Sequence, residues 1–188
     1  EGVHFLVPCG STGEAATLSL EVHARVVGIT VEQCAGRVPV VAGAGANDTQ
    51  KAIALSKLAR GAGATHLLHV SPMYNKPQQR GIVAHFRAIA AAVDLPIVVY
   101  NVPGRTASNI EARTTLELAT VPGIVAIKEA SGNIGQIAEI LRDRPPTFAV
   151  LSGDDAMTLP VMALGGEGVI SVVSNATPRR MTALVDAC

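Results

Sequence analysis

The sequence predicts an α/β fold, a (β/α)8 TIM barrel of which part is present, and three observations lead to this class. Short apolar runs of strand length recur along the 188 residues. Ala-rich segments with helical periodicity separate most of them. Polar residues capable of chemistry follow the ends of these runs, and in a barrel they would all meet at one mouth. A doubly wound open sheet, the alternative, would spread them along an edge.

Seven apolar runs are predicted to be strands of one parallel sheet, because helical segments lie between them. The runs cover residues 3–7, 38–42, 66–70, 96–100, 124–127, 148–151 and 168–172. Seven strands cannot close the usual eight-stranded barrel, so we expect a first strand and its helix upstream. No linker or low-complexity run interrupts the sequence, and residues 1–188 are therefore predicted to be a single, partial barrel domain.

Helices are predicted from apolar periodicity and from residues typical of helix ends. Ala52, Leu55 and Leu58 would share one helical face. Val83 and Phe86 would share another. The residues that fit helix starts are Ser19, Asp48, Thr49 and Pro178, and those that fit helix ends are Gly61 and Gly63.

Charge and cysteine content exclude several classes of protein. Lys plus Arg and Asp plus Glu both number 15, so neither nucleic acid nor an anionic membrane is expected as the main partner. No apolar run approaches the roughly 18 residues of a membrane helix. Cys9, Cys34 and Cys188 are odd in number and far apart, which argues against a disulfide framework or a zinc site. A reducing cytoplasm is the expected location.

Lys128 is the sharpest chemical feature, because it ends the apolar run at 124–127. A lysine at the tip of a buried strand loses solvation, which lowers its pKa and leaves a neutral, nucleophilic amine. Such an amine can form a Schiff base with a carbonyl substrate. The alternative is a structural lysine paired with Glu129, and this segment alone does not decide between the two.

Several other residues stand where a barrel mouth would lie. Tyr100 ends the run at 96–100 and could shuttle protons, or it could simply cap the core. The Gly-rich segment at 10–14 could hold a carboxylate with its N–H groups, or be a plain turn; it lacks the Lys and spacing of a P-loop. Arg105 suits a bidentate grip on a carboxylate, although most loop arginines are merely solvated. Tyr74 lies in a proline-bounded loop.

Two further pairs of residues are predicted to have structural positions. His66 and His69 lie in a strand-like run, where a spacing of three places them on opposite faces, so a metal pair is not expected. Asp154 and Asp155 could bind a divalent ion, but no third ligand is apparent. They are predicted to cap the next helix.

Taken together, six segments resemble the dihydrodipicolinate synthase and N-acetylneuraminate lyase family. They are GSTGEAATL at 10–18, SPMYNKP at 71–77, YNVPGRT at 100–106, IKEASGN at 127–133, LSGDD at 151–155 and GGEGVISV at 165–172. They occur in family order along nearly the whole chain. The resemblance implies an eight-stranded barrel followed by a small helical domain, usually in a homotetramer built as a dimer of dimers. This chain would lack the first strand, its helix and the C-terminal helical domain.

The resemblance also implies a reaction and a set of roles. Pyruvate would form a Schiff base with Lys128 and condense with L-aspartate 4-semialdehyde to give 4-hydroxy-tetrahydrodipicolinate, in the diaminopimelate route to lysine. No metal or cofactor would be needed. The implied roles are proton transfer for Tyr100, a hydroxyl relay for Ser11 and for Tyr74 from a neighbouring subunit, pyruvate binding for Thr12 and the backbone of Ile170, and semialdehyde binding for Arg105. The Pro-Gly-Arg-Thr loop and Lys128-Glu-Ala favour the synthase branch over sialate lyases.

The sequence departs from the family pattern in two places. Ser11 is usually Thr, and Ser lacks the methyl group that fixes the rotamer, so proton transfer is expected to be slower. At the site where lysine inhibits some members, Ala16, His23 and Asn47 fit the pattern. Lys51 replaces the expected acid and Met73 the expected aromatic residue. The charge of Lys51 would repel a lysine effector, and weak or absent inhibition is predicted.

Three other functions are weighed against the synthase. The first is another pyruvate-dependent aldolase of the family, acting on sialate or a keto-deoxy sugar acid. The second is a catalytically inert barrel used for binding, which would not capture pyruvate covalently. The third, a pyridoxal phosphate enzyme, is poorly supported because no phosphate-binding cup accompanies Lys128.

Overall fold

The computed structural model describes residues 2–188, which form one parallel sheet of six strands in sequential order, with helices between them. This confirms the α/β class. The strands are β1 (Val41–Gly43), β2 (His66–Val70), β3 (Ile97–Asn101), β4 (Ile124–Glu129), β5 (Ala149–Ser152) and β6 (Gly168–Val169). The helices are α1 (Leu20–Cys34), α2 (Thr49–Gly61), α3 (Gln79–Ala92), α4 (Pro103–Thr106), α5 (Ala112–Leu118), α6 (Ile134–Asp143), α7 (Thr158–Ala163) and α8 (Pro178–Asp186).

Four short 3-10 turns complete the chain, at Ser11–Gly13, Ala15–Thr17, Asp155–Met157 and Val173–Asn175. The predicted helix starts are confirmed where side chains cap them. Ser19 Oγ accepts a bond from Val22 N at 3.2 Å, and Asp48 Oδ1 accepts one from Lys51 N at 2.7 Å. Pro178 is the first residue of α8, where its missing N–H leaves no helical bond unmade. Among the described residues, no helix combines the length and the apolar character needed to cross a bilayer.

The predicted strand at residues 3–7 is wrong as a regular strand. The segment forms a single parallel bridge, between Leu6 and Val40, and no strand within residues 2–188 pairs with its other side. The chain then turns away at Cys9, whose φ is +57°. A cavity of about 420 Å³ separates this segment from β6, so the sheet does not close on itself within the described residues.

Strand alternation divides the buried residues into two layers. Side chains on one face of the sheet, such as Leu68, Val98, Tyr100 and Ala126, pack together inside the incomplete barrel. Side chains on the other face pack against the helices in a larger cluster. The members of that outer layer on the central strands are Leu67, Ile97, Val99, Ile127 and Val150.

A β-bulge sets the register of the two central strands. Ile97 pairs with Ile124, but Val98 already pairs with Ala126, so β4 contains one extra residue at this point. From there the register is regular, and Tyr100 pairs with Lys128.

The last strand is shorter than the predicted run at 168–172. The carboxylate of Asp155 accepts hydrogen bonds from Val172 N and Val173 N, each at 3.1 Å. These bonds turn the chain out of the sheet and into the 3-10 turn Val173–Asn175.

Candidate active site

Lys128 and Tyr100 lie side by side at the carboxyl ends of β4 and β3. Both side chains point into the barrel interior, since they are register partners on the inner face of the sheet. The Lys128 Nζ atom lies 4.2 Å from the centroid of the Tyr100 ring. The two residues are only 8% and 5% exposed, respectively. The structure therefore brings together the predicted nucleophile and the predicted proton donor.

The alternative in which Lys128 pairs with Glu129 is wrong. Consecutive residues of a strand point to opposite faces, and the Glu129 carboxylate lies on the helix side of the sheet. It accepts hydrogen bonds there from Asn101 Nδ2 at 3.0 Å and from Ser131 N at 2.6 Å. Within residues 2–188, Lys128 takes part in no ion pair. Its amine is thus free of any partner carboxylate.

The electrostatic environment makes the amine available at moderate pH. Burial lowers the pKa of Lys128 to about 8, and the positive charge of Arg105 acts in the same direction, while Asp155 opposes both. Burial raises the pKa of Tyr100, and Arg105 partly offsets this effect. A phenol that stays protonated beside a partly neutral amine is suited to giving and taking protons.

The Lys128 side chain extends over Gly153, the residue that follows β5. A Cβ atom at position 153 would lie 3.0 Å from Cγ and Cε of Lys128 and 2.8 Å from the Cβ of Ala130. Any other residue would displace the lysine chain or the backbone beneath it. The LSGDD segment therefore contributes to the site through the absence of a side chain.

A cavity of about 770 Å³ opens beside Tyr100. Ser11, Tyr100 and Arg105 all line it, so three of the predicted site residues share one space. Ser11 begins an exposed 3-10 turn, and Thr12 is the next residue of that turn. Gly43 lets this segment approach the sheet closely, because a Cβ atom there would lie 1.9 Å from the carbonyl oxygen of Cys9.

Four predicted site residues do not line that cavity: Lys128, Thr12, Tyr74 and Ile170. Tyr74 is 88% exposed, and its φ of +69° places its backbone in the left-handed region. Its N–H bonds to the carbonyl of Thr106 at 3.2 Å, which joins it to the loop that carries Arg105. Ile170 is buried in the same interior cluster as Tyr100 and lines the cavity next to β6.

The residues compared with the lysine-inhibition site also line the cavity of about 770 Å³. They are Ala16, His23, Asn47, Lys51 and Met73. The five residues thus lie around one cavity, as the resemblance to the family implied, and Lys51 and Met73 are among them. The predicted weakness of lysine inhibition stays a prediction.

The roles expected of the paired aspartates need a correction. Asp154 caps the following turn, as its carboxylate accepts a bond from Ala156 N at 3.0 Å. Asp155 does not act as a cap for its own turn; it bonds to Ser171 Oγ and the two N–H groups beyond it. The loop after β6 is thereby tied to the end of β5. Sequence reasoning missed this contact because it joins residues 16 positions apart.

The histidines of β2 occupy the structural positions that were expected. His69 is fully buried on the helix side of the sheet, where Nε2 lies 3.0 Å from Ser56 Oγ. Burial, with a smaller effect of His85, lowers the pKa of His69 to about 3, so the ring is neutral. His66 lies on the other face and contacts Thr65.

Asn101 is a second feature that the sequence reasoning missed. It is buried, and its Oδ1 accepts a hydrogen bond from Ile110 N, in the loop that carries Arg105.

Known proteins share this sequence and fold. A relative from Methanoculleus marisnigri, named 4-hydroxy-tetrahydrodipicolinate synthase, is 54% identical over 187 residues, which are 99% of this chain and 64% of the relative. The crystal structure of dihydrodipicolinate synthase from Aquifex aeolicus superposes with a TM-score of 0.96 at 45% identity, over 99% of this chain and 64% of that one. The chloride-inhibited dihydrodipicolinate synthase from Acinetobacter baumannii, complexed with pyruvate, gives 0.96 at 42% identity and the same coverage.

The chain therefore spans somewhat less than two thirds of the length of these relatives. The sequence profile of the Dihydrodipicolinate synthetase family matches residues 1–188. The superposition with the two crystal structures agrees with that match. Since it extends along the whole chain, this chain belongs to the Dihydrodipicolinate synthetase family.

Proposed function

We propose that the protein containing this chain is a Schiff-base-forming lyase, 4-hydroxy-tetrahydrodipicolinate synthase, which condenses pyruvate with L-aspartate 4-semialdehyde. One observation carries the proposal: a buried lysine of lowered pKa lies against the ring of a buried tyrosine and has no ion-pair partner among residues 2–188. Family membership and the names of its relatives support the choice of reaction.

The chemistry begins at the Lys128 nitrogen. The neutral amine attacks the ketone carbon of pyruvate, and loss of water from the adduct gives an imine. Loss of a proton from the methyl group then gives an enamine. Its carbon attacks the aldehyde carbon of the second substrate and forms the new carbon–carbon bond. Finally, the amino group of that substrate attacks the imine carbon, closes the ring and releases the lysine amine.

Proton transfers in these steps need a donor and acceptor beside Nζ, and Tyr100 has the required position. Its ring lies against the amine, and its raised pKa keeps the hydroxyl protonated between transfers. Ser11, on the wall of the same cavity, would relay protons from Tyr100. Tyr74 is exposed on its loop, and we propose that it completes the relay in a neighbouring subunit of a homotetramer.

The carboxylates of the two substrates need separate partners. We assign the pyruvate carboxylate to Thr12 in the glycine-rich turn, and a contact with bound pyruvate to the backbone at Ile170. We assign the carboxylate of aspartate semialdehyde to Arg105, whose side chain lines the cavity and whose charge acts on both Lys128 and Tyr100.

The setting of the reaction follows the same reasoning. The gap between Leu6 and β6 has room for a further strand, and we propose that the rest of a longer protein supplies it to close the barrel. The three cysteines are unpaired, which fits a reducing cytoplasm. Lys51, in the cavity compared with the lysine-inhibition site, supports weak inhibition by lysine.

Borohydride trapping with pyruvate tests this proposal directly. The complete protein that contains this sequence is incubated with pyruvate, reduced, digested and mapped by mass spectrometry. We expect a reduced pyruvyl adduct on Lys128 and none in Lys128→Arg. Lys57, on the exposed side of α2, serves as the internal control lysine that should remain unmodified. A folded protein without an adduct would contradict the proposal and favour an inert barrel.

Another pyruvate-dependent aldolase of the same family would also form the adduct. Turnover separates the two: the synthase consumes pyruvate only with aspartate semialdehyde, whereas the alternative aldolases act on sialate or keto-deoxy sugar acids. The position of Arg105 on the cavity wall favours the synthase.

A further inference from the structure

A buried carboxylate lies one residue beyond Lys128, on the opposite face of the sheet. Glu129 is 1% exposed, and its oxygens accept hydrogen bonds from three different parts of the chain. Asn101 Nδ2 donates at 3.0 Å, Gln136 Nε2 at 3.2 Å and Ser131 N at 2.6 Å. Among residues 2–188, Glu129 forms no ion pair. In this network the partners of the Glu129 carboxylate are thus hydrogen-bond donors that form no ion pair with it.

The network holds both ends of one loop, residues 102–110. Asn101 directly precedes the loop, and its Oδ1 accepts a bond from Ile110 N at 2.9 Å, at the end of the loop. Gln136 Nε2 also donates to Ile110 O, at 3.1 Å. Since Glu129 accepts from both amides, it fixes which way each of them points. The two ends of the loop are therefore tied together through one carboxylate.

That loop carries one residue of the proposed site and holds the backbone of another. Arg105 lies in its helical turn α4, and the carbonyl of Thr106 holds the backbone of Tyr74 at 3.2 Å. No member of the network lines the cavity beside Tyr100. The network can therefore affect Arg105 and Tyr74 without touching a substrate.

We infer that Glu129 is a positioning residue for the second substrate: through Asn101 and Gln136 it fixes the loop at residues 102–110 and so the place of Arg105. The inference rests on the proposed function for the identity of the reaction. Two adjacent residues of β4 then have different roles. Lys128 binds pyruvate covalently, and Glu129 positions Arg105 to bind aspartate semialdehyde.

The variant Glu129→Gln tests this inference in the complete protein. The amide turns one acceptor into a donor, which then faces the N–H groups of its neighbours. We expect the KM for aspartate semialdehyde to rise about tenfold as Arg105 loses its fixed position. The KM for pyruvate and the rate of borohydride trapping on Lys128 should stay within about twofold of the parent. Glu139→Gln makes the same change on the exposed face of α6 and should alter neither KM.

Gln136→Ala is a milder second variant, which decides the matter if Glu129→Gln does not fold. Its backbone N–H, which bonds to the capping Asn133, is retained. We expect a rise of about threefold in the same KM alone. Equal losses for both substrates would mean that Glu129 only supports the fold, and unchanged constants in both folded variants would also overturn the inference.

Hydrogen exchange separates this inference from the proposed function. The Ile110 amide should exchange faster in Glu129→Gln than in the parent, whether or not the protein turns over substrate. Absence of a pyruvate adduct in the parent would defeat the proposed function alone. Unchanged exchange at Ile110, in a parent that does trap pyruvate, would defeat the positioning role alone.

Discussion

On the inner face of β3 and β4, Tyr100 and Lys128 meet without an ion pair in the described part of the chain. One residue further along the same strands, Asn101 and Glu129 meet in a dense set of hydrogen bonds. Both pairs are buried and both contain an ionisable group. The outer carboxylate is surrounded by donors, which suits a charge that stays in place. The Lys128 amine lies over the face of the Tyr100 ring and has a lowered pKa, which would suit a reactive group.

Lys128 and Glu129 are adjacent in the sequence but lie in opposite environments. Strand alternation sends one side chain to the barrel interior and the next to the helices. A charge on the helix side needs hydrogen bonds to offset its lost solvation. The same loss of solvation lowers the pKa of the amine on the inner side, so we expect the inner pair to be costly for stability and the outer pair to be favourable.

The largest expected effect tests the inner pair as a reacting unit. Tyr100→Phe keeps the ring under the lysine nitrogen and removes only the hydroxyl group. We expect kcat to fall about 10²- to 10³-fold, because the proton relay is lost. The thermal unfolding temperature should stay close to that of the parent. Steady-state kinetics and calorimetry on the same sample check both statements, and a parent-like kcat would remove Tyr100 from the mechanism.

A second prediction concerns the stability cost of the inner lysine. Lys128→Met should raise the free energy of unfolding by about 2–3 kcal/mol at pH 7, since folding lowers the pKa of the lysine from 10.5 to about 8. Below pH 8 the lysine is protonated in both states and the full penalty is present. As pH rises from 8 towards 10.5, only the unfolded state holds the proton, so the parent gains stability relative to the variant.

Urea unfolding of both proteins at pH 7 and pH 10 measures this difference. If the difference in free energy of unfolding between the two proteins is smaller at pH 10 than at pH 7, the stability cost is due to the lysine charge. A variant less stable than the parent at pH 7 would show that the amine makes contacts that offset its burial, and the comparison between the two faces would then fail.

The smallest expected effect concerns the cation on the nearby loop. Arg105→Ala should raise the pKa of Lys128, because the arginine charge helps to lower it. At pH 7 the rate of pyruvate trapping should fall about two- to threefold, as less of the amine is neutral. The pH midpoint of trapping should move upward. Arg113→Ala, on the exposed face of α5, is the matched control, and an equal shift in both variants would exclude a specific role.

Much of the fold could be predicted because strands buried on both faces leave a clear pattern. The run at 66–70 matches β2 at both ends, and the central strands differ by one or two residues. Residues 3–7 have the same apolar pattern, yet they form a single β-bridge. Strand formation also depends on a neighbouring strand to pair with, which the composition of a segment does not show. The end of β6 depends on Asp155, a contact between distant residues.

The site divides in the same way. Lys128 and Tyr100 could be predicted because each ends an apolar run in the sequence, and parallel strands bring their carboxyl ends together. The network around Glu129 could not, because it depends on side-chain geometry among four segments of the chain. Strand alternation alone could have excluded the pairing of Lys128 with Glu129, and that signal was available in the sequence.

The bulge between Ile97 and Val98 has a consequence for how this protein can change by mutation. If all residues of β4 kept the register of the Ile97–Ile124 pair, Tyr100 would stand opposite Ile127 instead of Lys128, and the lysine would stand beside Asn101. Loss of the codon for Val125 would remove the bulge and keep Tyr100 opposite Lys128, whereas loss of the codon for Ile127 would place Tyr100 opposite Glu129 and exchange the contents of the two layers. We expect insertions and deletions between the bulge and Lys128 to be eliminated by selection far more strictly than substitutions at the same positions.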